Sequence, residues 1–148
     1  ESVMSGTPII VNVTGGLQDQ CGFNVKGKLL KEKDYIKIGS LHDENQIPKD
    51  LSWGKWVLPV WSKSITLNGS PNTPYIFDDR INHYDVVSQI RKVYKMGRKK
   101  RKEIGLEGRE YMIQNFSSEV MCESMVKGIE QALSKWEPKN KFDLYKII

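Results

Sequence analysis

One feature near the start of the chain could bind a ligand: a glycine loop formed by Thr14, Gly15 and Gly16. The loop directly follows residues 9–13, a mostly β-branched run typical of a short strand buried on both faces. In doubly wound sheets, ligands bind at the carboxyl ends of the strands. The pattern therefore predicts that the loop backbone faces a ligand, and a tight turn that needs glycine is the alternative.

The residues before the strand are predicted to position it. Gly6 follows a short run that resembles the end of a helix, and glycine just past a helix is the usual left-handed stop. Pro8 then disfavours a helical conformation at Thr7 and extends the chain. Helix end, turn, strand and glycine loop together predict an αβ-loop unit of a doubly wound sheet, in which Ser5 and Thr7 support the turn.

The stretch 1–17, ESVMSGTPIIVNVTGGL, resembles the donor site of retaining GT-B glycosyltransferases, the family that includes glycogen and sucrose synthases and many mannosyltransferases. The usual sequence motif of the family is Glu-Ala-Met-Ser/Ala-Cys-Gly-Thr-Pro-Val-Ile, followed after a few residues by Thr-Gly-Gly. The residues that match in order and spacing are Glu1, Met4, Gly6, Thr7, Pro8, Thr14, Gly15 and Gly16. The alternative is an unrelated αβ unit that needs Gly-Thr-Pro only to turn.

A second stretch resembles the C-terminal end of the same family, where glycine-arginine is followed after several residues by phenylalanine and serine or threonine. Here Gly108-Arg109 precedes Phe116-Ser117. The stretch lies among three predicted helices: one capped by Asn82, an amphipathic one over 99–115, and one capped by Ser117. The resemblance covers about two thirds of the chain.

The resemblance implies the α/β class, as a partial Rossmann-like domain equivalent to the C-terminal domain of GT-B enzymes. Parallel strands are accompanied by an irregular tryptophan-rich insertion and a helical C-terminal third. We expect a single partial domain over 1–148. It is divided into a donor-site segment (1–19), the insertion (20–71), a strand with three helices (72–136) and a tail (137–148).

The activity implied is transfer of a sugar from a nucleotide sugar, GDP-mannose or a UDP-sugar, to an acceptor hydroxyl with retention of configuration. Glu1 is then the carboxylate that accepts hydrogen bonds from the ribose hydroxyls, and Thr14, Gly15 and Gly16 lie beside the donor. The family places its sugar-binding glutamate, its phosphate-binding arginine and lysine, and its N-terminal domain upstream. We therefore expect no catalytic residue within this chain. Without the missing N-terminal domain, the chain should not catalyse transfer. Neither a cofactor nor a metal is implied.

Three tryptophans, Trp53, Trp56 and Trp61, could stack against the acceptor, which is expected to be a sugar, a glycan or a lipid-linked sugar. The alternative is a small aromatic core under a long loop. Around them, Pro59 predicts an edge or irregular strand, and residues 66–74 are predicted to form a loop with a turn at Asn68-Gly69. Short strands are predicted at 35–38 and 75–77.

Composition indicates a globular domain: 39% of the 148 residues are hydrophobic and 28% are charged. Two cysteines are too few for a disulfide framework, so a cytoplasmic location is predicted. The net charge of +5 is concentrated between residues 91 and 102. This basic run is predicted to be a solvated helical junction, and weak peripheral contact with an anionic membrane is the alternative. Binding to nucleic acid is not expected, because no nucleic-acid module accompanies the run.

Two other functions remain open from the sequence. A nucleotide-sugar epimerase of the same fold would share the ligand cleft, but such enzymes typically have arginine and glutamate where this chain has Thr-Gly-Gly. A non-catalytic interaction module could have kept the fold and gained the tryptophan-rich segment.

Overall fold

The computed structural model describes residues 1–31, 34 and 47–137. Contacts divide the chain into two units, Glu1–Ile113 and Gln114–Ile148. The first unit contains a small parallel sheet together with antiparallel strands and helices, and the C-terminal part is helical. The α/β class predicted from the sequence is therefore confirmed. The predicted strand at 35–38 and all but the first residue of the tail lie outside the described residues.

The parallel sheet pairs β1 (Ile9–Asn12) with β5 (Val57–Val60), and Ile9 lies opposite Val57. The residues of β5 are all buried, whereas in β1 Val11 is buried and Ile10 is exposed. The prediction that the first strand is buried on both faces is therefore wrong. Alternate residues of a strand point to opposite faces. In the described part of the chain, the Ile10 face is only partly covered.

Both strands of this sheet have one edge that no other described strand pairs with. The N–H groups of Ile9 and Val13 donate to the carbonyls of Trp56 and Val60. Because donors alternate along a parallel ladder, Ile10 and Asn12 direct their backbone groups to the opposite edge. Pro59 has no N–H to offer at the outer edge of β5. It is tolerated there because no described strand needs a donor at that edge, and its carbonyl accepts a hydrogen bond from Gln89 Nε2 at 2.8 Å. The edge position predicted from Pro59 is confirmed.

Two antiparallel arrangements complete the strands. The first is a three-stranded sheet of β2 (Asn24–Val25), β3 (Lys28–Leu29) and β4 (Leu51–Ser52), with β2 in the middle. The second is a long hairpin of β6 (Ser62–Ser70) and β7 (Thr73–Ile81), in which Leu67 lies opposite Phe77. The segment 20–71 therefore includes β5 of the parallel sheet as well as β6 of the hairpin.

The hairpin overturns the loop predicted at residues 66–74. Asn68 pairs with Ile76, the register shifts between Asn68 and Ser70, and the chain turns after Ser70 instead. A Cβ at Gly69 would lie 3.0 Å from the Pro74 Cα. The glycine therefore allows the two strands to approach closely at a bulge, and it does not form the turn. The predicted strand at 75–77 is confirmed within the longer β7.

Three helices follow in the described chain: α1 (His83–Lys95), α2 (Gly97–Phe116) and α3 (Ser118–Ser134). The side chain of Asn82 accepts a hydrogen bond from the Tyr84 N–H, and that of Ser117 accepts one from the Val120 N–H. Both predicted N-caps are confirmed. No helix in the described residues combines the length and apolarity needed to cross a bilayer.

The core of the first unit is formed by residues of β1, β5, the segment after β1 and α2. Val13, Phe23 and Ile104 are almost completely buried. The inner face of α2 contains two buried glycines, and each allows a close approach. A Cβ at Gly105 would overlap the Gly6 carbonyl, and one at Gly108 would lie 2.5 Å from Trp56 Cγ. The position of α2 therefore depends on the absence of a side chain at these two residues.

Candidate functional site

The segment that leads into β1 is a single helical turn closed at Gly6. The Gly6 N–H donates to the Val3 carbonyl at 2.9 Å, and the Thr7 N–H donates to the Ser2 carbonyl at 3.1 Å. With Gly6 at a φ of +77°, these two bonds form a Schellman motif, in which a left-handed residue satisfies the last carbonyls of a helical turn. The left-handed stop predicted at Gly6 is confirmed.

The polar side chains of this turn bond within it. The Ser5 hydroxyl donates to the Ser2 carbonyl at 2.7 Å and lies 3.5 Å from the Thr7 hydroxyl. The Ser5 N–H donates to the Glu1 carbonyl at 3.0 Å, so Glu1 is the first residue of the turn. The structure thus places Ser5 and Thr7 in the turn and puts Glu1 at its start.

A groove of about 450 Å³ runs along β1. Its walls come from the turn at Glu1, Ser2 and Val3, from β1 itself, and from Leu17 and Gln20. The volume lies in the range of small-molecule sites, and the lining combines apolar side chains with a few polar groups. The arrangement can hold an organic ligand against a carboxylate.

Asn12 supplies an additional polar atom in the wall of this groove. Its side-chain Oδ1 is buried and has no hydrogen-bond partner among the described residues. A buried acceptor without a donor costs roughly 1–3 kcal/mol, so a ligand that donates a hydrogen bond would relieve this cost. Asn12 is not among the site residues predicted from the sequence. The available signal is that Asn12 is the single polar residue in an otherwise apolar strand.

The glycine loop borders the groove without lining it. Thr14 precedes the 3-10 turn Gly15–Leu17, whose last residue, Leu17, lies in the groove wall. Gly15 has a φ of +49°, and a Cβ at either Gly15 or Gly16 would meet no atom within 4 Å. The backbone there is uncovered. The left-handed conformation favours glycine at Gly15, whereas no described contact requires it at Gly16.

Thr14 is held by a residue distant in sequence. Its hydroxyl donates to Asp79 Oδ2 at 2.9 Å, which ties the end of β1 to the hairpin strand β7. Because the hydroxyl proton is used in this bond, a ligand would meet the lone pairs of Thr14 or its backbone. No local pattern signals this contact, since the two residues are separated by 65 positions.

The three candidate tryptophans do not form one surface. Trp56 is only 7% exposed, and its ring packs against Gly54, Gly108 and the ring of Tyr111, whose centroid is 5.0 Å away. Its indole N–H donates to the Gln20 carbonyl at 3.1 Å. The side chain is therefore part of the core and offers no free ring face to a sugar.

Trp53 and Trp61 form a separate cluster with Phe23. The two indoles meet edge to face with centroids 5.9 Å apart, and the ring of Phe23 lies 5.8 Å from Trp61. Trp53 is 37% exposed, so part of this cluster reaches the surface. The predicted acceptor platform therefore rests on Trp53 and Trp61, and it stays a prediction.

A buried thiol next to the groove can be excluded as a nucleophile. Cys21 donates its thiol proton to the Leu17 carbonyl, 3.3 Å away, and burial together with the charge of Asp19 raises its pKa to about 12. The thiol therefore stays protonated at neutral pH, and thiolates are the reactive form. Among the described residues, no group of three His, Cys, Asp or Glu side chains is arranged to hold a metal ion.

Comparisons with protein-family models, with curated proteins and with solved structures find no match to this chain.

Proposed function

We propose that this chain binds the nucleotide sugar in a retaining glycosyltransferase of the GT-B type. The observation that carries the proposal is the groove, which brings Glu1 together with β1 and with the two residues, Leu17 and Gln20, that follow the glycine loop. Glu1 and Leu17 are the first and the last residue of the stretch that resembles the family's donor site. A Rossmann-like sheet is part of the proposal, and the parallel pair of β1 and β5 is compatible with it.

The contact between the two family-like stretches supports the same proposal. Arg109, in the second stretch, donates a hydrogen bond to the Met4 carbonyl in the first, and Gly105 allows α2 to approach Gly6. The two stretches that resemble the family are therefore in contact. In the proposed role, Glu1 accepts hydrogen bonds from the ribose hydroxyls, and Asn12 Oδ1 accepts one from a donor group of the same ligand.

The direct test is titration calorimetry of the proposed parent enzyme, which contributes the phosphate-binding residues that the resemblance implies upstream, with UDP, GDP, UDP-glucose and GDP-mannose. We expect at least one of them to bind, and the Glu1→Gln variant to bind it about 10- to 100-fold more weakly, the range for a hydrogen bond to a charged group. Glu130→Gln is the control, because Glu130 is exposed on α3 and outside the groove. Absence of binding to all four nucleotides would refute the proposal.

The role of Glu1 can be separated from general charge effects with a 2′-deoxynucleoside diphosphate. If Glu1 accepts a hydrogen bond from the ribose 2′-hydroxyl, the unmodified enzyme should prefer the ribonucleotide, and Glu1→Gln should lose most of that preference. If the variant kept the same preference for the ribonucleotide, the ribose would bind elsewhere in the groove and not at Glu1. Product analysis of the complete enzyme would then distinguish sugar transfer from epimerisation.

A further inference from the structure

The outward face of α1 is unusually apolar for a helix surface exposed to water. Tyr94 is 84% exposed, Tyr84 71%, Ile90 52% and Val87 40%. An ordinary surface helix presents charged and polar residues on this side. Single exposed apolar residues need no explanation, but four on one helix of thirteen residues indicate a contact surface.

The opposite face of α1 is the one that packs against the sheet. Gln89 donates to the Pro59 carbonyl of β5, and Val86 and Val93 lie half-buried on the same side. At roughly 100° per residue, Val87, Arg91 and Tyr94 lie on the opposite side from Gln89. Within the part of the chain that the structure describes, the exposed apolar residues therefore lie away from the side of α1 that packs against the sheet.

Positive charge flanks the apolar residues of this face. Arg91 and Lys95 lie on the same outward side and are exposed, and no described acidic residue forms an ion pair with either. The chain then passes through Gly97 at a φ of +71° into the first turn of α2. That turn adds three exposed cations, Arg98, Lys99 and Lys102. One neighbour is partly neutralised, because Lys100 pairs with Glu103 at 2.7 Å.

We infer that the outward face of α1, with the first turn of α2, docks on an anionic phospholipid bilayer. Tyrosine is suited to the membrane–water interface, because its ring is apolar and its hydroxyl stays hydrated. Clusters of lysine and arginine beside an amphipathic helix attract anionic headgroups. The apolar side chains and the cations are contributed by neighbouring positions, so both can engage the same surface. This inference does not depend on the proposed donor site.

A bilayer explains the surface better than nucleic acid does. Single-stranded nucleic acid stacks its bases on aromatic rings within a basic groove, whereas double-stranded nucleic acid is bound mainly by cations on its phosphates. Here Val87 and Ile90 are aliphatic and project from the convex side of a helix, where they suit acyl chains.

The test is co-sedimentation of the chain with phosphatidylcholine vesicles, with and without about 30% phosphatidylserine. We expect binding only to the phosphatidylserine vesicles, and weaker binding at high salt. The Arg91→Glu/Lys95→Glu variant should bind at least about tenfold more weakly, and Ile90→Ser/Tyr94→Ser should also lose binding. Lys49→Glu/Lys127→Glu changes the net charge equally at two exposed positions elsewhere and should bind like the unmodified chain.

Circular dichroism of each variant establishes that it is folded, and all the substituted side chains are exposed. Equal binding by the charge variant and its control would overturn the inference, because the attraction would then be due to net charge. So would absence of binding to the phosphatidylserine vesicles. A third outcome would indicate nucleic acid as the partner in place of the bilayer. In that outcome the chain does not bind the vesicles but binds a labelled oligonucleotide, and the Arg91→Glu/Lys95→Glu variant loses this binding.

Discussion

The Arg109 Nε donates a hydrogen bond to the Met4 carbonyl at 3.0 Å, across 105 positions of sequence. This bond joins α2 to the turn that positions Glu1. The turn leaves the Met4 carbonyl available because its own closing bonds use the carbonyls of Ser2 and Val3. The geometry at the start of the candidate site thus depends on a residue near the end of the first unit.

We expect Arg109→Met to lower the free energy of unfolding by about 1 kcal/mol, because the substitution removes a charge-assisted hydrogen bond and keeps most of the apolar stem. Urea unfolding measures the change, and hydrogen exchange at the Thr7 N–H should become faster. Arg98→Met, at an exposed position in the first turn of α2, is the control and should change neither quantity. Equal effects of the two substitutions would show that the bond contributes nothing specific.

The glycines of α2 and α3 should respond in opposite directions to alanine. Gly105→Ala places a methyl group against the Gly6 carbonyl, and we expect a loss of about 1–3 kcal/mol despite the better helix propensity of alanine. A Cβ at Gly128 in α3 would meet no atom within 4 Å, so Gly128→Ala should gain about 0.5–1 kcal/mol. Thermal unfolding of the two variants measures both changes in stability. A stabilising effect of Gly105→Ala would contradict the close approach of α2 to Gly6.

Stability should fall in alkaline solution. Burial and the charge of Asp19 raise the pKa of Cys21 from 9.0 to about 12. Burial, with the charges of Asp19 and Cys21, raises the pKa of Tyr111 from 10.0 to about 12. Between those values the unfolded chain releases protons that the folded chain retains, so folding is progressively disfavoured as the pH rises. The stabilisation is complete below about pH 9 and is lost as the pH approaches about 12.

Tyr111→Phe tests this explanation. It keeps the ring against Trp56 but removes the hydroxyl, which donates to the Asp19 carbonyl at 2.8 Å. We expect a loss of about 1 kcal/mol at neutral pH and a smaller decline in stability above pH 9, measured by urea unfolding at several pH values. Tyr94→Phe alters an exposed residue and is the control. An unchanged alkaline slope in Tyr111→Phe would exclude its hydroxyl as a source of the effect.

The bond between Thr14 and Asp79 can be measured with a double-mutant cycle. Thr14→Val removes the donor and Asp79→Ala removes the acceptor of a partly buried hydrogen bond to a carboxylate, and the double variant removes both. We expect a coupling free energy of about 1–2 kcal/mol in unfolding experiments. Additive effects would mean that the hairpin and the end of β1 are not energetically linked.

Local chemistry predicts the local features of this fold. Asn82, Ser117 and Gly6 each act through hydrogen bonds within a few residues, so the sequence around them is sufficient to predict a cap or a stop. The Asn68-Gly69 pair is ambiguous by the same criterion, because the dipeptide suits both a turn and a bulge. Only the pairing of β6 with β7, set by residues on both sides, distinguishes them.

The candidate site is predictable in part. The motif identifies Glu1 and the glycine loop, but the groove also needs Gln20, the middle residue of a second 3-10 segment, Asp19–Cys21. Trp56, predicted as a possible acceptor-binding aromatic, is only 7% exposed, and nothing nearby in sequence shows how its ring is enclosed. Its burial depends on Gly108, which α2 contributes more than fifty positions later in the chain.

The close approach of α2 to the first residues has a consequence for synthesis of the chain on the ribosome. The turn at Gly6 is made before its partner Gly105, which follows almost a hundred positions later. Contacts so distant in sequence require closure of a long loop and slow the folding reaction. We expect the nascent first unit to acquire protease resistance only after α2 has left the exit tunnel, and until then β1 presents its apolar side chains to chaperones.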